Sequence, residues 1–243
     1  GYRMQDAYSL RCVAQMMGGT KRAIKEAYIS VTEELNSCSD NPVIYPTGDG
    51  DGVALMGGNF DRAYLCIHMD ALCIAMTHLG KLVERRTDRL TNRHFSDYPP
   101  FLVKNPGLNS GFMITQYTSA GLVAEMKVLS HPVSVDSIPT SANQEDPVSF
   151  GFYASRKACE VAKKLEYLNA IELMTQVQAM DFMEEGELKH SPVIQAVYDL
   201  VRAKVPTVEK DRHFYPDIMD INELLVSGKV IDCAEEISGK LKF

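Results

Sequence analysis

Six apolar side chains, Leu65, Met69, Leu72, Met76, Leu79 and Val83, recur at intervals of three and four within residues 60–90. That spacing sets them on one face of a single long helix, and Cys66, Cys73 and Leu82 widen the stripe. A helix of this length buries such a face only against other helices, so the stripe points to a bundle. The same reading extends along the chain. Residues 13–35 contain no proline and end in the breaker string Asn36-Ser37-Cys38-Ser39-Asp40-Asn41-Pro42. Residues 112–129 form a second helical pattern. The longest covers 148–183, where Ala154, Ala158, Val161, Leu165, Leu168 and Ile171 mark one face. Shorter helices are expected at 192–204 and 218–226. Strand signals are scarce, and only 132–138, with Val133 and Val135 alternating, reads as extended. Thr47-Gly48-Asp49-Gly50-Asp51-Gly52 reads as a flexible loop. The expected fold is all-α, a long-helix bundle forming one domain over residues 1–243.

Composition excludes several functions. Hydrophobic residues make up 45% of the 243, enough for a sizeable core, and the net charge is −7 without a dense Lys/Arg run. A nucleic-acid partner is therefore not expected. Residues 1–11 are polar and do not read as a signal peptide, and no uncharged apolar run approaches bilayer length. The six cysteines include no C-x-x-C pair, so reduced thiols, a cytoplasmic location and no membrane are expected. His68 and His78, ten apart, do not share a face as metal ligands at i and i+4 would, and no metal is expected. His131, before Pro132, reads as a structural hydrogen-bonder. Lys163-Lys164 and Glu184-Glu185 read as solvated faces, and Met174, Met180 and Met183 as core or subunit interface. Gly48, Gly50 and Gly52 neither follow an expected strand nor open a helix, so they form no nucleotide loop.

Two polar segments are poorly explained by helix packing. In Gln5-Asp6-Ala7-Tyr8-Ser9-Leu10-Arg11, helical spacing would align Gln5, Tyr8 and Arg11 on one face. Arginine suits bidentate capture of a carboxylate, and tyrosine can move a proton. Spacing alone favours a plain helix start with a solvated arginine. In Ser134-Val135-Asp136-Ser137-Ile138-Pro139-Thr140-Ser141-Ala142-Asn143-Gln144-Glu145-Asp146, short polar side chains surround a turn-fixing proline. Spacing alone favours a loop capping the helix that follows.

These two strings occur in order with Asp40-Asn41-Pro42, Gly57-Gly58-Asn59-Phe60, Glu84-Arg85-Arg86, Asn109-Ser110-Gly111-Phe112-Met113 and Ser130-His131-Pro132. Together they resemble the aromatic amino acid ammonia-lyase family, histidine type. The resemblance runs from residue 4 to at least 182. It implies an aspartase/fumarase-like helical fold, a homotetramer, and elimination of ammonia from an amino acid to leave an α,β-unsaturated acid. It also implies a methylideneimidazolone (MIO) cofactor made from an Ala-Ser-Gly segment, a string this sequence does not contain. In the family that triad, and the usual catalytic tyrosine, precede the Gln-Asp-x-Tyr-Ser-Leu-Arg motif. The chain is thus expected to be the C-terminal part of a longer lyase, inactive alone.

By the same resemblance, Arg11 matches the arginine that binds the substrate carboxylate. Tyr8 matches the tyrosine beside the cofactor, Gln5 an ordering glutamine, and Phe60 the aromatic residue packed on the cofactor. Glu145 matches the glutamate facing the substrate ring in histidine lyases. An imidazole offers N–H donors to a carboxylate, whereas a benzene ring would leave that charge unpaired. Histidine is therefore the expected substrate and urocanate the product. Asp61 and Pro147 stand where histidine lyases usually carry His. A lyase or aminomutase for another aromatic amino acid, and a non-catalytic helical assembly module, remain as alternatives.

Overall fold

The apolar stripe forms α3, Ala63–Thr91, in the computed structural model, which describes residues 4–183 and 190–242. The 13–35 segment is α2, Val13–Leu35. The other expected helices are α4 (Met113–Leu129), α5 (Gly151–Met180), α6 (Pro192–Arg202) and α7 (Tyr215–Val226). The helix start expected at residues 5–11 is a single turn α1, Tyr8–Arg11, and one further helix was not anticipated, α8, Lys229–Ser238. Gly228, at φ 82°, separates α7 from α8, which packs on α6 and α7. Glu184-Glu185 lies outside the described residues, and Lys164 pairs with Glu125.

The strand expectation is corrected. Residues 132–138 form turns and irregular loop, while the strands are β1 (Val43–Pro46) and β2 (Gly52–Leu55), paired antiparallel with Val43 opposite Leu55. The supposed flexible loop is their turn, so its glycines do follow a strand. Gly48 and Gly50 adopt φ of 87° and 92°, which only glycine takes without strain. The Thr47 hydroxyl closes the turn on the Asp49 carboxylate (2.5 Å) and the Asp51 carbonyl (3.0 Å).

Contacts group the chain into two compact units. Unit 1 comprises residues 1–12, 80–125 and 163–243, and unit 2 residues 13–79 and 126–162. The core of unit 1 gathers Leu102, Phe112, Ile171, Met174, Val201, Ile221 and Leu224, each at most 1% exposed. A buried amide ties its loops together. Gln178 Nε2 donates to the carbonyls of Leu102 and Val208 (3.0 Å each), and its Oε1 accepts from Val208 N (3.0 Å). The Arg86 guanidinium forks onto the Glu172 carboxylate.

The Asn109-Ser110-Gly111-Phe112-Met113 string also has a structural task in unit 1. The Asp211 carboxylate accepts from Ser110 N (2.8 Å) and Gly111 N (2.8 Å). These amides hold the Asp211 carboxyl below its usual pKa. Gly111 sits at φ 52°, and a Cβ there would lie 2.6 Å from the Phe101 carbonyl oxygen.

Unit 2 is organised by a buried ion pair. Asp70 and Lys157, each 3% exposed, meet at 2.9 Å. Asp70 Oδ2 accepts from Val133 N and Ser134 N at 2.8 Å each, and Lys157 Nζ also donates to the His131 carbonyl at 2.5 Å. His131 thus contributes a backbone acceptor to the pair. Burial raises the Asp70 carboxyl, but the Lys157 ammonium and the Ser134 hydrogen bonds outweigh it, leaving the pKa below 3.8. The pair fixes the start of the 134–146 loop, which folds back on itself. Ser137 Oγ accepts from Val148 N (2.9 Å) and donates to the Asp146 carbonyl (3.2 Å). By length and mean hydropathy α3 is sufficient to cross a bilayer. Its apolar face carries Asp70, whose charge is neutralised within the protein. All six cysteines are free, and burial pushes the Cys73 thiol up to about 11.

Two outcomes follow for stability. Gly111→Ala forces a methyl into the Phe101 carbonyl and strains the backbone, and is expected to cost about 3 kcal/mol or more in denaturant unfolding. A midpoint equal to that of the unmodified chain would refute this account. Lys157→Met leaves a buried carboxylate unpaired and is expected to cost about 3–5 kcal/mol. Adding Asp70→Asn should recover part of that loss, because the amide oxygen still accepts from the two N–H groups without burying charge. Because the Asp70 pKa is lowered by folding, its contribution is complete at neutral pH. It is lost as the pH falls below about 3.8, the unfolded value.

Candidate active site

Gln5, Tyr8 and Arg11 come together in unit 1, Tyr8 and Arg11 within one helical turn as expected and Gln5 outside it. The helix α1 is a single turn starting at Tyr8, and Gln5 precedes it. Arg11 draws the segment inward instead. Its Nε donates to the Asp6 carbonyl (3.0 Å), its Nη2 to Gln5 Oε1 (3.4 Å), and its guanidinium lies 4.6 Å from the centre of the Tyr8 ring. Tyr8 and Arg11 thus meet within one helical turn, and Gln5 joins them through its hydrogen bond from Arg11.

The three side chains line a pocket of about 580 Å³ together with Asp6, Arg89, His94 and Phe95. Arg89 and His94 were not foreseen. Arg89 Nη1 donates to the Phe95 carbonyl (3.2 Å), and its guanidinium lies over the Phe95 ring. Their sequence signal was a polar and aromatic cluster just before Tyr98-Pro99-Pro100. Two guanidiniums against one carboxylate make this pocket cationic in an acidic chain, which suits an anionic ligand group. Among the described residues, Arg11 Nη1 and the Tyr8 hydroxyl have no hydrogen-bond partner, and Tyr8 is 65% exposed.

Phe60 and Glu145 belong to unit 2. Phe60 presents half of its surface, in the turn before α3. Glu145 sits at the foot of a tight loop. Thr140 N donates to the Glu145 carbonyl (2.9 Å) and Glu145 N to the Thr140 carbonyl (3.3 Å). Between them Ser141, Ala142 and Asn143 all take left-handed φ, at 48°, 55° and 69°. Such residues cost about 1–2 kcal/mol each in backbone strain, a cost that tends to collect at functional sites. The Thr140 hydroxyl donates to Glu145 Oε2 at 2.6 Å, and Oε1 has no partner among the described residues. This segment was expected to cap α5; its hydrogen bonds instead close on itself.

A second pocket, about 290 Å³, is lined within unit 2 by Asp61, Cys66, Ser134, Asp136, Ser137 and Pro147 among others. Both positions that depart from the histidine-lyase pattern, Asp61 and Pro147, therefore face one cavity. Asp61 also accepts from Ala63 N (3.1 Å) at the start of α3. His68 bonds Ser30 Oγ at 2.5 Å. Among the described residues no group of three or more His, Cys, Asp or Glu is placed to hold a metal ion.

Comparison with known proteins supplies the context. The family model for aromatic amino acid lyases matches residues 1–203. The chain is 46% identical to the histidine ammonia-lyase of Deinococcus radiodurans, over 96% of this chain and 43% of that protein. The crystal structure of histidine ammonia-lyase from Trypanosoma cruzi superposes with a TM-score of 0.88 at 43% identity, over 96% of this chain and 45% of that one. Tyrosine aminomutase from Streptomyces globisporus gives 0.89 at 34% identity, covering 98% of this chain and 45% of its own. The chain thus spans somewhat under half the length of these relatives. With its helical architecture and its ordered motifs, it belongs to the aromatic amino acid lyase family.

Proposed function

We propose that this chain is part of a histidine ammonia-lyase, which eliminates ammonia from L-histidine without oxidation and yields urocanate. The observation that carries the reading is Glu145. One of its oxygens is fixed by Thr140, and the other is open to accept an N–H. An imidazole supplies that donor and a benzene ring does not. Arg11, with Nη1 uncommitted in a cationic pocket, binds the α-carboxylate. Tyr8, its hydroxyl uncommitted, takes part in proton handling near the reacting carbon, and Gln5 holds Arg11 in place.

The residues present fit a methylideneimidazolone group supplied from a segment outside these 243 residues. Phe60 offers an exposed ring face to a flat group, and Tyr8 an uncommitted donor. When bound, that group supplies the electrophile that makes ammonia a good leaving group. Assembly into a homotetramer in the cytoplasm, with this chain as one helical domain of the longer polypeptide, completes the proposal. Exposed apolar side chains on α2 and α4, such as Tyr28, Leu35, Tyr117 and Val128, support association.

The full-length polypeptide carrying this sequence, given L-histidine, is expected to produce the ultraviolet absorbance of urocanate. Glu145→Gln should lower kcat/KM for histidine roughly 10- to 100-fold, the worth of a hydrogen bond to a charged group. The 243-residue chain alone should show no turnover. Absence of urocanate from the full-length enzyme, with conversion of tyrosine or phenylalanine instead, would replace this reading by an aminomutase or a lyase for another aromatic amino acid. The Asp61 and Pro147 pocket and the likeness to the aminomutase favour that second reading.

A further inference from the structure

We infer that Thr140 is a positioning residue for Glu145 and thereby a determinant of substrate specificity; this rests on the histidine-lyase reading above. Glu145 lies on the surface of this chain, where a glutamate side chain ordinarily samples many rotamers. Here its freedom is removed at both ends. The paired backbone bonds between Thr140 and Glu145 close a six-residue ring, and Asn143 N and Gln144 N donate back to Thr140 O (3.0 Å) and Ser141 O (3.1 Å). Three successive left-handed residues bring the two ends of the ring together. At the far end of the side chain, the Thr140 hydroxyl holds Oε2 at 2.6 Å.

Threonine suits this task better than the other hydroxyl residues. Branching at Cβ restricts its χ1, so its Oγ1 is aimed by the backbone rather than by chance. A hydroxyl carries one proton. Given to Oε2, it leaves Oε1 with its lone pairs turned outward as an acceptor only. A site holding such an acceptor discriminates strongly for a ring that carries an N–H. Thr140 is thus placed to set the direction from which an imidazole is recognised without touching it.

The test uses the full-length enzyme and four variants: Thr140→Val, Thr140→Ser, Glu145→Gln, and Thr140→Val combined with Glu145→Gln. Thr140→Val keeps the shape and removes the proton. It is expected to lower kcat/KM for histidine roughly 10-fold, mainly through KM, with an unchanged melting temperature. Thr140→Ser restores most of the activity. In the Glu145→Gln background the valine has little further effect, because the group it orients is already altered. Losses that simply add, or a valine enzyme with wild-type kcat/KM, would overturn the inference. A loop merely needed for folding would instead show a lower melting temperature and no rescue by serine, which also overturns it. If Glu145→Gln itself leaves histidine turnover intact, the histidine reading fails first, and the two failures are distinguishable.

Discussion

The Asp70–Lys157 pair is the interaction on which the loop that carries Glu145 depends. An ammonium and a carboxylate removed from water are costly unless every remaining hydrogen-bonding position is filled. Here most of them are met from one place. Asp70 receives the N–H groups of Val133 and Ser134, and Lys157 donates to the carbonyl of His131. The desolvation cost of the pair is offset by these bonds, which also fix four consecutive residues of backbone. Those residues lead directly into the loop that ends in Glu145. A helix-borne charge thereby sets the starting geometry of a segment with no regular structure of its own.

Helix periodicity made most of this architecture legible. The stripe from Leu65 to Val83 located α3, and the proline-free stretch of residues 13–35 located α2 with its actual bounds. The misses have physical causes. The hairpin was overlooked because Val43-Ile44-Tyr45 and Val53-Ala54-Leu55 are short. Its turn, Thr47 to Asp51, reads as flexible until Gly48 and Gly50 are recognised as supplying left-handed backbone. Residues 132–138 alternate like a strand, yet Asp70 captures their first amides and turns them into loop. The buried pair itself left a trace that periodicity analysis passes over. Asp70 lies four residues after Cys66 and three before Cys73, on the face where only apolar residues are expected.

The candidate site was legible in a different way. Gln5, Tyr8, Arg11, Phe60 and Glu145 were marked by family-like strings, and helical spacing accounts for Tyr8 and Arg11 but not for Gln5. Gln5 joins the pair because Arg11 reaches back to the Asp6 carbonyl and to Gln5, contacts that no helical wheel anticipates. Arg89 was missed because its polar and aromatic surroundings were not read as a site, and Thr140 because nothing sets it apart from the other polar residues of its loop. Their importance appears only when the pocket and the loop are closed around them.

Unfilled hydrogen-bonding capacity separates the structural polar groups from those of the candidate site. Gln178 donates twice and accepts twice, Asp211 clamps two amides, and Asp70 receives three donors. Such groups are committed, and removing one leaves a buried partner unsatisfied. Arg11, Tyr8 and Glu145 are each restrained but not saturated. Among the described residues, one guanidinium nitrogen, one phenol and one carboxylate oxygen have no partner, while the rest of each side chain is held by bonds or ring contact. Partial commitment of this kind is what recognition requires. A fully bonded group has nothing to offer a ligand, and a wholly free one must lose its entropy at the moment of binding. The left-handed run from Ser141 to Asn143 belongs to the same logic. Its strain brings the two ends of the loop together, so that Thr140 holds one carboxylate oxygen of Glu145 and leaves the other for a ligand.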